Sequence, residues 1–384
     1  MKSWTVALTA LLLAACATTP PPTPSTDGLL HDQLFGAPSM RISADEVFAL
    51  SDEMRRYLRV EIADELISKG SRQGLFDSLY AKGQLKLEYD TRVTRNAAQA
   101  FAARAGNCLS LVIMTAAFAK ELSLPVRFHT AVASETWSRS GDIHYFIGHV
   151  NLTLGVRSAD VGFGRAAGDQ MTIDFLPPQE TRGMSTRVID EKTIVAMYMN
   201  NRAAEAFSRG NLDDAYGWAR AAILHNPVFL SSFNTLGIIY KRHGNLAEAE
   251  RVFTHALERD PANTTIMSNL ASALTASGRT AEAAALAAKL DRLEPNPPYS
   301  YLALGMTALR SGDYQSAREQ FAKEVVRAPY NDEFHYWLAI AYIGLGETEQ
   351  ARKELDKALE YSTTRKDHEL YAAKLDRIRA SQIR

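Results

Sequence analysis

The stretch Phe233-Asn234-Thr235-Leu236-Gly237-Ile238-Ile239-Tyr240, followed by Gly244, Ala249, Phe253, Ala256 and Pro261, decides the fold of the C-terminal half. Its turn glycine recurs: Gly210, Gly244, Gly278, Gly312 and Gly346 stand 34 residues apart. Pro227, Pro261, Pro295 and Pro329 keep the same interval, and so do Ala215, Ala249, Ala283, Ala317 and Ala351. Chance does not produce interleaved series at one period. Each unit has room for two helices, with the glycine in the turn between them, where its missing Cβ permits positive φ. Proline ends the second helix, because it has no N–H to donate and its ring clashes with the preceding turn. The alanines let the paired helices approach closely. The units are 196–229, 230–263, 264–297, 298–331 and 332–365, and residues 366–384 are expected to form a terminal helix with a polar outer face.

The order of bulky residue, Leu-Gly, Tyr, Ala, Phe and Pro resembles the tetratricopeptide pattern. The resemblance implies an all-α solenoid over 191–384, with about five repeats and a capping helix, whose concave groove takes a protein or peptide partner. The first unit departs from the pattern at Arg202, where Leu is expected. It is expected to pack on the domain before it.

The other end of the chain reads as a targeting segment. Lys2 supplies a positive charge, and Trp4 to Leu13 is apolar but too short to span a bilayer. Leu13-Ala14-Ala15-Cys16 closes the run. This resembles the bacterial lipoprotein signal, with 1–15 as the signal peptide and Cys16 as the lipidated residue. The resemblance implies diacylglyceryl on sulfur and N-acylation with a palmitate-like chain, since several acyl chains hold where one does not. Ala17 rather than Asp follows the cysteine, which implies the outer membrane, facing the periplasm of a bacterial cell envelope. Residues 16–28 carry Pro20, Pro21, Pro22 and Pro24 among threonines, and read as an extended tether.

Bulk composition narrows the rest. Of 384 residues, 46% are hydrophobic and 23% charged, which suits two or three domains with cores of their own. The formal net charge of -1, with no run of Lys or Arg, argues against nucleic acid as a partner. Two cysteines, one of them N-terminal, cannot build an internal disulfide framework.

Residues 29–190 read as an α+β domain, helices first and a mainly antiparallel sheet after. Ser43-Ala44-Asp45-Glu46 has the spacing of a capping box, and predicts a helix through Val47, Leu50, Met54, Leu58 and Ile62. A second helix is predicted over 95–105, and a third from Cys108 to about Leu122. Val126 to Ala133, His144 to Leu154 and Met171 to Leu176 read as strands.

Cys108 stands after Gly106-Asn107 at a predicted helix start. A helix N-terminus and a nearby imidazolium both favour the thiolate, the nucleophilic form of cysteine. A base must come from elsewhere, with a carboxylate or amide to orient it; His149 and Asp174 lie on successive predicted strands. Gly106-Asn107-Cys108, Leu124-Pro125-Val126-Arg127-Phe128, Gly148-His149-Val150-Asn151 and Thr172-Ile173-Asp174, in that order, resemble the transglutaminase-like superfamily of papain-like thiol enzymes over roughly 85–180. The resemblance implies an α+β transglutaminase-like domain in which Cys108, His149 and Asp174 serve as nucleophile, base and acid. It implies an amide substrate, whether a peptide bond, a peptidoglycan amide or a Gln side chain, and either hydrolysis or acyl transfer. It implies no cofactor. By the same analogy the Cys108 N–H is an oxyanion donor. Asn151 and Phe175 depart from the family, which often has an aromatic residue and a proline at these places. His129 and His144 are rivals for the base, and Asp160 and Asp169 read as loop residues near the cleft. No residues have metal-ligand spacing, and Gly162-Phe163-Gly164 does not follow a phosphate-loop pattern. The alternative reading is a non-catalytic scaffold lipoprotein that binds proteins through its repeats.

Overall fold

The computed structural model describes residues 26–81, 85, 87–90, 93–132, 137–140, 143–146, 149–156, 170–175, 185–297, 299–362 and 365–382. The signal segment, Cys16, most of the tether, Asp160, Asp169 and Gly162-Phe163-Gly164 lie outside the described residues.

After a 3-10 turn at Asp32–Leu34 come α1 (Asp52–Arg56), α2 (Ala63–Lys69) and α3 (Ser71–Phe76), with π-helical turns at Tyr57–Glu61 and Asp77–Ala81. The helix expected from Ser43 starts only at Asp52, and its stretch over 44–51 does not form. Val47 is fully buried and its carbonyl accepts the Ala97 N–H at 3.0 Å, so this backbone serves a tertiary contact. The cap falls on Ser51, whose hydroxyl accepts from Met54 N.

β1 (Glu88–Tyr89) pairs in parallel with β2 (Ala105–Gly106). Between them lies α4 (Ala97–Ala103), opened by an Asn96–Gln99 capping box and stopped by Arg104 in the left-handed conformation. α5 (Cys108–Glu121) is buried from Cys108 through Ala119 and is the central helix of the α+β part. β3 (Val126–Val132) follows, then a hairpin of β4 (Trp137–Ser140) and β5 (Ile143–Phe146), then β6 (Val150–Leu154), β7 (Met171–Ile173) and β8 (Ser185–Ile189). The one strand expected over 144–154 is therefore two, because β5 pairs with β4 while β6 joins β3. The main sheet is antiparallel in the order β7-β6-β3-β8, with Leu152 opposite Phe128 on one side and Ile173 on the other. Val150, Leu152 and Leu154 are fully buried in the core that α5 fills.

The repeats are helix pairs: α6 (Glu191–Ser208) with α7 (Leu212–His225), α8 (Leu230–His243) with α9 (Leu246–Arg259), and α10 (Thr264–Ala276) with α11 (Thr280–Leu293). They continue with α12 (Ser300–Arg310) and α13 (Tyr314–Arg327), then α14 (Asp332–Gly344) and α15 (Thr348–Tyr361), and α16 (Arg365–Gln382) ends the stack. The five turn glycines have φ between 75° and 92°, where a side chain is strained. The chain thus has an all-helical solenoid region and a small antiparallel sheet region. One hydrophobic core runs from Leu29 and Val47 through α5 into the solenoid as far as Ala283, so the early repeats and the sheet region share their interior.

Residues 29–39 lie along the solenoid as a strap. Leu29 O accepts from the Tyr240 hydroxyl at 2.9 Å, Asp32 from Tyr216 at 2.7 Å and Arg220 at 2.8 Å, and Phe35 stacks on Tyr216 with ring centroids 4.2 Å apart.

Candidate active site

Asn107 is the N-cap of α5. Its Oδ1 accepts from Ser110 N at 2.9 Å and from Ser110 Oγ at 2.8 Å. Ser110 Oγ also accepts from Arg95 N at 2.8 Å, which ties the preceding loop to the helix start. Gly106 is needed here, because a Cβ at this position would lie 2.6 Å from Ser110 Cβ. Cys108 is thereby the first helical residue, 6% exposed, with the positive end of the helix at its side chain. Its N–H stands in the first turn, where no intrahelical acceptor exists.

His149 precedes β6 and is 3% exposed. Its Nε2 lies 2.7 Å from Asp174 Oδ1. That leaves Nδ1 for Cys108. Nδ1 is buried with no hydrogen-bond partner, and Cys108 lies near enough to the ring to act on its charge. Burial works against the charged ring. The hydrogen bond to Asp174, with Cys108 close by and the charges of both, overcomes it and pushes the His149 pKa up to about 9. The structure therefore brings together the three residues that the sequence singles out.

A fourth residue completes the cluster. Asn151 Nδ2 donates to Asp174 Oδ2 at 2.8 Å, so both carboxylate oxygens are held by neighbours on one strand segment. The sequence signal was present: a polar residue between Val150 and Leu152, both fully buried. Beside Asp174, Phe175 meets the Tyr80 ring edge-to-face at 5.3 Å, and the Tyr80 hydroxyl bonds to Thr115 on α5. Phe175, next to Asp174, is thus tied through Tyr80 to α5.

His129 Nε2 pairs with Thr153 Oγ1 at 2.9 Å, and burial, with Arg127 nearby, lowers its pKa. His144 sits in the β4–β5 hairpin opposite Arg139, and its side chain is outside the described residues. Among the described residues no group of three or more His, Cys, Asp or Glu could hold a metal ion, and no helix is long and apolar enough to cross a membrane.

A family model described as tetratricopeptide repeat matches residues 242–304 and 308–376. The chain carries tetratricopeptide repeats. A tetratricopeptide repeat-containing thioredoxin of Oryza sativa subsp. japonica is 34% identical over 73 residues, which is 19% of this chain and 23% of that protein. The chain thus spans under a quarter of that curated relative. A thermophilic tetratricopeptide repeat protein of Thermus thermophilus is 19% identical with a TM-score of 0.30, covering 47% of this chain and 98% of its own. Yeast Tom70 is 14% identical with a TM-score of 0.36, covering 49% of this chain and 40% of its own. The repeats within 242–376 are those the family model matches; Cys108, His149 and Asp174 lie outside them.

Proposed function

We propose that the chain is a protein-binding repeat protein whose α+β part, transglutaminase-like in its motif order, holds a thiol site acting on an amide bond. The binding half rests on the repeats. The catalytic half rests on one observation: a buried imidazole between Asp174 and the thiol at the start of α5. In this reading the raised His149 pKa keeps the ring as the imidazolium with the Cys108 proton already on it, and the thiolate beside it attacks the carbonyl carbon of an amide. The tetrahedral oxyanion forms beside the first-turn N–H of Cys108. His149 returns the proton to the departing amine and a thioester remains. Water, deprotonated by His149, then releases the acid and restores the thiolate beside the imidazolium; an amine in place of water makes the reaction an acyl transfer. Asp174 holds the ring's tautomer and orientation.

The test is a small amide-like electrophile such as chloroacetamide, with adduct formation followed on the Cys108 peptide by mass spectrometry. Labelling should be faster than that of a free cysteine and should fall sharply in His149→Ala. Turnover of a peptide or glutaminyl amide should vanish in Cys108→Ala. Labelling at the rate of a free thiol, untouched by His149→Ala, would leave the scaffold reading.

That second reading, a protein-binding scaffold without turnover, is favoured by the family match, which lies wholly within the repeats. Either reading includes a lipid on Cys16 and an outer-membrane location facing the periplasm. Cys16→Ser should abolish acyl mass on the N-terminal peptide. A wild-type peptide without acyl mass would remove the anchor.

A further inference from the structure

The first repeat departs from its sister units at two neighbouring places. Where Leu236, Leu270, Leu304 and Leu338 stand in the later units, the first has Arg202. Where Ile239, Ala273, Thr307 and Ala341 stand, it has Glu205. Both charges are part-buried and turn to the same target. Thr94, 1% exposed, donates its N–H to Glu205 Oε1 at 2.6 Å, and its carbonyl accepts from Arg202 Nη1 at 3.3 Å. Its hydroxyl oxygen accepts from Asn201 Nδ2 at 3.3 Å, and Arg202 closes on Glu205 at 2.8 Å. The same Thr94 hydroxyl oxygen accepts from Asn107 Nδ2 at 3.0 Å. Asn107 is the cap that sets the start of the Cys108 helix. Every polar group of Thr94 is therefore committed either to α6 or to that cap.

We infer that Asn201, Arg202 and Glu205 of the first repeat are positioning residues for Cys108, so that the solenoid and the α+β part build the thiol site jointly. A part-buried ion pair, with a polar cluster that the later units lack, is a costly way to join two domains that already share an apolar core. Their geometry is spent on one loop residue and, through it, on the helix cap. The inference rests on the thiol-site reading given above.

The experiment uses the full chain and follows iodoacetamide alkylation of Cys108 near neutral pH and near pH 9, with thermal unfolding in parallel. In Glu205→Ala and Arg202→Leu, the latter restoring the residue of the other units, the neutral-to-alkaline rate ratio should fall by about threefold to tenfold. Glu205→Gln, which keeps an acceptor for Thr94 N, should recover part of that loss. A merely structural role would lower the melting temperature and leave the ratio unchanged, and that result overturns the inference. If Glu205→Ala does not fold, the ratio in Glu205→Gln and Asn201→Ala decides. His149→Ala separates the two readings. A ratio that responds to His149 but not to the α6 variants defeats only the joint construction, whereas one indifferent to His149 defeats the thiol site itself.

Discussion

Asn151 and Asp174 are joined by a 2.8 Å hydrogen bond that occupies the carboxylate oxygen His149 leaves free. Asn151 is 6% exposed, so the bond is shielded from water. Replacing it with Leu strips a part-buried carboxylate of one donor, which costs about 1 kcal/mol. Chemical denaturation should show that loss. Asn151→Asp should cost more, since it sets a second carboxylate against the first, and its deficit should shrink in acid. Equal stability of wild type and Asn151→Leu would mean that the bond does not persist in solution.

The imidazole carries a pH signature. Its folded pKa, about 9, lies above its ordinary value of 6.5. The folded state therefore binds the proton more tightly than the unfolded chain does. The resulting stabilisation is fully present below about 6.5 and is lost as pH rises through about 9. For this buried ring it is on the order of 3 kcal/mol. The difference in urea midpoint between wild type and His149→Gln should shrink steadily across that window, and Asp174→Asn should flatten it. A difference independent of pH would place the ring in its neutral form throughout.

Cys108, His149 and Asp174 stand out as candidates in the sequence because each keeps a local signature: a glycine-led helix start, a histidine before an apolar strand, an acid closing the next strand. The repeats were legible because Gly210 to Gly346 repeat one steric demand at one interval. What was hidden was non-local. Nothing near Val47 says that its carbonyl will meet Ala97, so a capping-box spacing at Ser43 misled. The break between β5 and β6 depends on which strands they pair with. Asn151 looked like a departure from a family pattern until its partner was known.

The repeats hold a finer complementarity. A Cβ on Gly237 would sit 2.4 Å from Phe253 Cε1, and one on Gly305 would sit 2.4 Å from Phe321 Cε1. In the units with Ala203, Ala271 and Ala339 at the same place, the facing residue is Ala219, Ala287 or Leu355. Glycine thus goes with Phe and alanine with a smaller partner. Gly237→Ala should cost about 1–3 kcal/mol through overpacking. Adding Phe253→Leu should recover part of that cost, giving a favourable coupling in a double-mutant cycle. Additive losses would mean that the helices spread rather than clash.

The strap offers the last test, because its grip on the solenoid depends on two carboxylates. Ser39 donates to Asp214 twice, from N to Oδ1 and from Oγ to Oδ2, each at 2.6 Å. Burial raises the Asp214 pKa, but those bonds outweigh it and hold the carboxyl below its ordinary 3.8. The Tyr216 hydroxyl bond, against burial and helped by Arg220, does the same for Asp32. Both folded values are depressed, so their stabilisation is present above about 3.8 and is lost as pH falls through the lower, folded values. Hydrogen exchange across residues 29–39 should therefore quicken in acid before the solenoid opens. At neutral pH, Asp214→Ala should loosen the strap more than Asp213→Ala, because Asp213 accepts a single exposed bond from Gly36 N at 2.8 Å. Exchange in the strap that tracks global unfolding in every variant would show that Phe35, stacked on Tyr216, holds it without the carboxylates.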